Sequence, residues 1–203
     1  MKTVSNFEAS ARALVDLLGR IAPEQWDSPG LGVWTVRSLA GHASRAILTV
    51  EQYLAKPAPD AVDHADAESY YRSAAAGGID HDEVAQRGIA AGEALGTHPA
   101  DAVREMLAHT LARLAAEPAT RNVLVVGGRS IHLDEYLRTR VLELVVHTID
   151  LSRATGIPHG LTPLAVEEAV TLASRVASRQ GAGEDLLLAM TGRVTLPEGF
   201  SVV

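Results

Sequence analysis

The chain has 203 residues, of which 47% are hydrophobic and 4% are aromatic, and its formal net charge at pH 7 is −7. This length is enough for one domain with a sizeable core, and the composition excludes a disordered chain and favours helices over a β-sandwich. The absence of a basic run argues against nucleic acid as a partner, and the absence of cysteine excludes a disulfide, a thiolate metal site and a cysteine nucleophile.

The first predicted element is an amphipathic helix from about Asn6 to Ile21. It begins where a signal peptide would carry its apolar core, so no signal peptide is predicted. No stretch of the chain approaches the roughly 20 uninterrupted apolar residues of a membrane span. We therefore expect a cytoplasmic protein that does not enter the membrane.

The loop after this helix contains Trp26 and Trp34, which we expect to pack at the end of a helical bundle rather than against a ligand. Helix two begins at the N-cap Thr35 and runs to about Ala55. His42 lies at the border of its apolar stripe, where a histidine belongs to the core more often than it binds a metal. It gains interest only because a later helix offers a glutamate and a histidine.

Short elements occupy the middle of the chain. Residues 57–66, which include His64, are predicted to form an exposed linker. Two helices follow at about 67–76 and 80–95, and internal glycines make the second of them weak.

A longer helix is predicted from Pro99 to about Glu117, with the proline in its first turn. It carries His109, which we interpret as structural because nothing else marks it as functional. Residues 122–132 contain a short β-branched run and two glycines, and this pattern fits either a small hairpin or an extended crossover.

The stretch from Leu133 to Thr155 is predicted to be a helix that is apolar nearly all the way round, with Val146 among its apolar positions, and such a helix is buried. Steps of 4, 3, 4 and 3 residues place the rest of its side chains on one face. This polar row consists of Tyr136, Arg140, Glu143, His147 and Asp150. Because uncompensated buried charge is costly, the row must be paired, metal-bound or facing a cavity.

Within the polar row, Glu143 and His147 stand at positions i and i+4, so both can reach one metal ion from one helix. The same spacing is common on solvated helices, where it has no function. The apolar surroundings favour the metal over that interpretation.

Two further helices, from Leu164 to Ser178 and from Glu184 to Met190, precede a tail that is not helical. No repeat or linker divides the chain. We therefore expect a single all-α domain over residues 1–203, a bundle of four main helices with short extra helices.

Two segments together resemble a known family. WTVRSLAGHASRA (Trp34 to Ala46) resembles the helix-two signature of the DinB/YfiT-like superfamily, and most closely that of its mycothiol-dependent maleylpyruvate isomerase group. YLRTRVLELVVHTIDLSRATG (Tyr136 to Gly156) resembles the central metal-binding helix of that group, and LLLAMTGRV resembles the end of its bundle domain. The resemblance implies a DinB-like four-helix bundle.

The resemblance also implies a metal site. In that family a histidine of helix two joins a glutamate and a histidine of the later helix around a divalent ion, and the matching positions here are His42, Glu143 and His147. Such a set leaves a coordination position open, as in catalytic zinc sites, so we expect zinc, with nickel or another divalent ion as alternatives. An open zinc lowers the pKa of bound water and deprotonates a bound thiol.

Family members use mycothiol, a sugar-linked thiol of actinobacteria, and the resemblance therefore implies mycothiol as cosubstrate beside a small-molecule substrate. A chain without cysteine is compatible with such an external thiol. Many Ala, Val and Arg and few Lys are also typical of a high-GC actinobacterial protein. The chain is expected to be a monomer or a homodimer.

Arg140 and Asp150 are the candidate catalytic residues, because they stand one turn before Glu143 and just after His147. The alternative for both is a supporting ion pair that holds the ligands or the core.

Maleylpyruvate isomerases carry a C-terminal domain that contributes to their active site, whereas this chain ends with the bundle. We therefore expect metal-dependent activation of a thiol for S-transfer, or a related isomerisation, on an electrophile other than maleylpyruvate. Two alternatives remain open. One is a metal-binding bundle without turnover that acts in a stress response or in ligand binding, and the other is a hydrolase or isomerase that uses zinc-bound hydroxide without a thiol.

Overall fold

The computed structural model describes residues 2–77, 80–118 and 120–202. Within them, eight α-helices and one two-stranded sheet follow one another along the chain, which confirms the predicted all-α class. The helices are α1 Lys2–Leu18, α2 Val36–Leu54, α3 Ala67–Ala76, α4 His81–Ala94, α5 Pro99–Ala116, α6 Leu133–Thr155, α7 Pro163–Arg179 and α8 Gly183–Met190, and the strands are β1 Asn122–Leu124 and β2 Ser130–His132. The predicted helix at Asn6 thus begins earlier, at Lys2.

Four of the helices form a closed ring around one apolar core. α1 packs on α5 and α6, and α2 packs on the same two helices from the other side. The core between them is made of aliphatic side chains with almost no exposed surface, among them Leu14, Leu39, Ile47, Leu107 and Leu144. The shorter helices lie outside this ring, with α4 on α2, α7 on α6, α8 on α7, and α3 on α6 and α7. This arrangement confirms the predicted four-helix bundle with short extra helices.

Helix α2 begins at the predicted cap. The Thr35 hydroxyl accepts a hydrogen bond from the backbone N–H of Ser38, which satisfies one of the free donors of the first turn. Leu39, Ala43 and Ile47 are fully buried on the side that faces the bundle. His42 is half-buried at the edge of this stripe, as its spacing predicts.

Helix α6 ends at Gly156, which adopts the left-handed conformation with a φ of 73°. Leu137, Val141 and Leu144 are buried against the other bundle helices. The predicted burial on all sides is wrong at Val146, whose surface is 38% exposed, because the neighbouring helices leave this side of α6 uncovered. The helix is therefore buried on most of its surface but keeps one open side.

Helices α2 and α4 approach each other unusually closely at two glycines. A Cβ atom on Gly41 would lie 2.1 Å from the backbone nitrogen of Gly92, and one on Gly92 would lie 2.7 Å from the carbonyl oxygen of Arg37. Gly92, one of the glycines that weaken α4 as an isolated helix, is thus the residue that lets its backbone contact α2. Because Gly41 directly precedes His42, this contact holds α4 beside the part of α2 that carries His42.

Residues 57–66, before α3, were predicted to be an exposed linker, and this prediction is wrong at His64. The backbone N–H of His64 donates to the carbonyl oxygen of Ser130 at 2.9 Å, and the Ser130 hydroxyl donates to Asp63 Oδ2 at 2.8 Å. His64 is consequently only 7% exposed. The segment is held against β2, and β1 and β2 form the hairpin alternative of the two predicted connections, with Asn122 paired to His132.

None of the described helices combines the length and the mean hydropathy that crossing a membrane requires.

The close contact of α2 and α4 predicts a large effect of a single methyl group. Gly41→Ala should lower the free energy of unfolding by about 1–3 kcal/mol or more, because two backbones must separate to admit the methyl group. Urea unfolding measures this difference. The matched control is Gly19→Ala, since a Cβ there meets its nearest atom at 3.6 Å. A Gly41→Ala protein as stable as the wild type would show that the backbones are not in contact.

Candidate metal centre

The candidate centre is a group of three side chains from α2 and α6. His42 projects from α2, and Glu143 and His147 project from successive turns of α6. One ligand-capable atom of each lies within 4.8 Å of the others, and within the residues that the structure describes no other group of three His, Asp or Glu side chains meets this spacing. The structure thus brings together the three residues that the sequence motifs place at a metal.

Two further distances define the geometry of this group. His147 Nε2 lies 3.4 Å from Glu143 Oε2, and the rings of His42 and His147 meet edge to face with their centroids 4.7 Å apart. Ligand atoms around a tetrahedral zinc stand roughly 3.4 Å apart, because each lies about 2.0–2.2 Å from the ion. The spacing of Glu143 and His147 therefore fits one shared ion, and a ligand-capable atom of His42 lies within 4.8 Å of both.

His42 fits the role of a ligand because its ring nitrogens have no hydrogen-bond partner within the described residues. Its Nδ1 atom is buried, and within the described residues neither ring nitrogen takes part in a hydrogen bond. Burial and the neighbouring His147 lower the pKa of His42 to about 4, and the Glu143 carboxylate only partly opposes them. The ring is therefore neutral at pH 7, as a metal ligand must be.

Glu143 is held as a carboxylate. Burial alone would raise the pKa of Glu143, but the hydrogen bond from His147 and the charge of Arg140 lower it to about 2. The hydroxyl of Tyr71 on α3 donates to Glu143 Oε1 at 3.0 Å, while lying 3.1 Å from the carbonyl oxygen of Thr139. Tyr71 therefore fixes one carboxylate oxygen and leaves the other facing His147.

His147 is oriented by Asp150. Its Nδ1–H donates to Asp150 Oδ2 at 3.2 Å, which leaves Nε2 directed at Glu143. Burial alone would lower the pKa of His147, but the hydrogen bonds with Asp150 and Glu143 raise it to about 9. In the metal-free protein His147 is thus an imidazolium at pH 7, with its two ring nitrogens facing Glu143 and Asp150.

Arg140 lies beside the centre without touching it directly. Its side chain is 11% exposed and its nearest guanidinium nitrogen is 3.9 Å from Glu143 Oε1. The guanidinium carbon stands 4.8 Å above the ring of Tyr136, and Nε donates to the Thr139 hydroxyl at 3.0 Å. Burial would lower the pKa of Arg140, but Tyr136 and Glu143 together raise it above its ordinary value, so Arg140 is a permanent cation next to the carboxylate.

Trp34 also belongs to the site, which the sequence did not indicate. Its ring stacks on the ring of His42 with centroids 4.4 Å apart and an interplanar angle of 30°. Trp26, by contrast, is 7% exposed within the apolar core, as both tryptophans were predicted to be. No helical spacing relates Trp34 to His42, because Trp34 precedes α2, and no pattern in the sequence connects Tyr71 of α3 with α6. These two contacts depend on tertiary packing alone.

The other histidines that drew attention in the sequence lie elsewhere. His64 packs edge to face on Tyr70 at a centroid distance of 5.8 Å, and His109 is exposed on α5. Neither belongs to the group formed by His42, Glu143 and His147.

Comparison with known families supports the same region of the chain. A family model described as the mycothiol maleylpyruvate isomerase N-terminal domain matches residues 7–152, which include the whole candidate centre. No curated protein and no solved structure matches the chain at a significant level.

The shifted pKa values of His42 and His147 predict how the free energy of unfolding of the metal-free protein depends on pH. It should fall on an alkaline limb, caused by His147, and on an acidic limb, to which His42 contributes. Because folding raises the pKa of His147 from 6.5 to about 9, its contribution is complete below pH 6.5 and is lost as the pH rises through about 9. Because folding lowers the pKa of His42 to about 4, its contribution is complete above pH 6.5 and is lost as the pH falls through about 4. Urea unfolding with a chelator should show these two contributions together at their largest near pH 6.5.

Substitutions separate the two limbs. His147→Gln should flatten the alkaline limb, and His42→Gln should remove the part of the acidic limb between pH 6.5 and about 4, below which Glu143 also loses its contribution. His109→Gln, which changes an exposed histidine on α5, should alter neither limb. An alkaline limb that survives in His147→Gln would contradict the ion pair as its cause.

Proposed function

This chain belongs to the family of the mycothiol maleylpyruvate isomerase N-terminal domain, a DinB-like family, and from that membership we propose that it is a divalent-metal-dependent enzyme that activates a thiol. The proposed thiol is mycothiol, and the proposed reaction is S-transfer to a small electrophile or an isomerisation of it. The observation that carries the proposal is the convergence of His42, Glu143 and His147 within 4.8 Å.

These three side chains are proposed to hold the ion, with zinc as the first candidate and nickel or another divalent ion as alternatives. Two imidazoles and one carboxylate suit a borderline-soft divalent cation and leave a position free. When bound, such an ion acts as a Lewis acid that favours the ionised form of a thiol at that position. The protein has no cysteine of its own, so the thiol comes from outside.

The supporting residues prepare the ligands for this role. Asp150 holds His147 with Nε2 directed at the centre, and Tyr71 holds one oxygen of Glu143. Such outer partners fix ring orientation and raise ligand basicity. We therefore propose that Asp150, one of the two candidate catalytic residues, acts by positioning His147.

Arg140, the other candidate, is proposed to act through its charge. A guanidinium with a raised pKa does not exchange protons near neutral pH, so general acid–base work is unsuited to it. Arg140 lies 3.9 Å from Glu143 Oε1 and keeps that carboxylate ionised. The centre holds two carboxylates and one guanidinium, so a divalent ion leaves it with excess positive charge, which favours the approach of a thiolate.

The side chains of the centre are partly exposed to solvent, which is compatible with the approach of a small molecule. The side chains of Glu143 and Asp150 are 24% and 23% exposed, and that of His147 is 13% exposed. The exposed Val146 lies on the same helix between them. The opening therefore follows the uncovered side of α6.

Metal binding should release protons in a way that identifies the ligands. At pH 7 each zinc ion should displace about one proton, since His147 is protonated in the metal-free protein and His42 is not. Calorimetric titration of chelator-treated protein with zinc chloride, in buffers of different ionisation enthalpy, measures this number. His147→Ala should bind zinc far more weakly, and Asp150→Asn should weaken binding about 10–100-fold.

His109→Ala is the matched control, because it removes an exposed histidine far along the chain from the centre. Zinc content that is equal in the wild type, His147→Ala and His109→Ala would rule out the proposed ligands.

The reaction itself is tested by thiol consumption. Zinc-loaded protein incubated with mycothiol and a panel of small electrophiles should consume the thiol faster than the metal-free protein, and the chelated protein should recover the rate on addition of zinc. His147→Ala should show the background rate. Protein that binds zinc tightly but never accelerates thiol loss would favour a metal-binding bundle without turnover over the enzyme.

A further inference from the structure

The three candidate ligands differ in how their orientation is fixed. His147 is bonded to Asp150 and Glu143 is bonded to Tyr71, whereas His42 makes no hydrogen bond within the described residues. Metal-binding histidines almost always use their second ring nitrogen to fix the plane of the ring. A different contact must therefore set the ring plane of His42.

That contact is the stack with Trp34. The indole and imidazole centroids are 4.4 Å apart and the ring planes differ by 30°, so the faces of the two rings are in contact. The His147 ring is a second neighbour of His42, at a centroid distance of 4.7 Å and an interplanar angle of 85°. His42 thus contacts both a flat aromatic surface and the side chain with which it would share an ion.

Trp34 is in turn held by α4. Its indole N–H donates to the carbonyl oxygen of Ala85 at 3.0 Å, and its backbone carbonyl accepts a hydrogen bond from Gly30 at 2.8 Å. The indole lies directly over Gly88, where a Cβ atom would come within 2.7 Å of the ring. The position of the ring therefore depends on the absence of a side chain at Gly88 as well as on the hydrogen bond.

We propose that Trp34 is a positioning residue that holds His42 in the plane needed for metal binding, and that Gly88 provides the space that this arrangement requires. This inference rests on the proposed function, since it assumes that His42 binds an ion. On this proposal α4 supports the centre although it contributes no ligand, because it holds the indole of Trp34 against His42.

The test compares zinc dissociation constants of the full chain, measured by competition with a chromogenic chelator. Trp34→Leu should raise the constant about 10-fold or more, in the range seen when an outer partner of a ligand is lost. Trp34→Phe keeps a flat ring above His42 and should stay within about threefold of the wild type. Gly88→Ala should also weaken zinc binding, because the added methyl group displaces the indole.

The double variant Trp34→Leu/Gly88→Ala separates this mechanism from a general effect on α4. Without the indole the added methyl group displaces nothing at His42, so the double variant should bind zinc as Trp34→Leu does. A further loss of affinity in the double variant would overturn the role given to Gly88. The melting temperature of each metal-free variant shows how much of any change is general destabilisation, and Leu172→Ala, in the core on α7, is the control for that effect.

A metal-free measurement tests the stack itself. In the proton NMR spectrum the ring protons of His42 should be shifted upfield by the indole, and this shift should vanish in Trp34→Leu. Absence of the shift in the wild type would overturn the proposal whether or not zinc binds. If wild type and Trp34→Leu bind zinc equally tightly, the proposal fails while the metal centre stands, and if the wild type binds no zinc, the proposed function fails and the positioning role fails with it.

Discussion

A charged side chain inside an apolar bundle needs an opposite charge or a hydrogen-bond partner nearby, and the polar row of α6 follows this constraint closely. In the metal-free protein the charges alternate from Arg140 to Asp150. Successive members lie 3.9, 3.4 and 3.2 Å apart, through Glu143 and His147. The row is therefore internally compensated, and the surrounding helices can bury most of it without leaving an isolated charge.

The α2 side of the centre has a different physical basis. His42 is neutral and makes no hydrogen bond within the described residues, and its surroundings include the ring of Trp34. Those surroundings exist because α4 can lie directly on α2, which the glycine pair Gly41 and Gly92 permits. A backbone contact between two helices thus decides whether an aromatic ring can cover the one histidine that α2 contributes.

The sequence predicts the fold well where local chemistry decides it. The cap at Thr35, the left-handed Gly156 and the regular apolar spacing of α2 and α6 are local features, and the structure confirms them. The one-sided polar row also follows from helical periodicity alone. His64 and Val146 were misjudged because their exposure depends on which distant segment covers them, and no local pattern contains that information.

The convergence of α2 with α6 could be predicted only in part from local sequence patterns. Periodicity places Glu143 and His147 together, but His42 joins them only through the packing of two helices about 100 residues apart in the chain. The resemblance to a family supplied that link, not the spacing. The supporting residues Trp34 and Tyr71 come from a loop and a short helix. Trp34 begins the segment that resembles the family, but neither periodicity nor the resemblance assigns a role to Trp34 or Tyr71.

The internal compensation of the row also determines what an ion would do there. In the metal-free protein the proton on His147 Nε2 already supplies the positive charge that Glu143 and Asp150 require. A divalent ion would take the place of that proton and add one unit of charge, instead of rescuing a group of mutually repelling ligands. We therefore expect the bundle to fold without the metal, unlike small zinc domains that are unfolded without it. Because Asp150 and Tyr71 already fix His147 and Glu143, an ion bound as proposed would not have to order these two side chains.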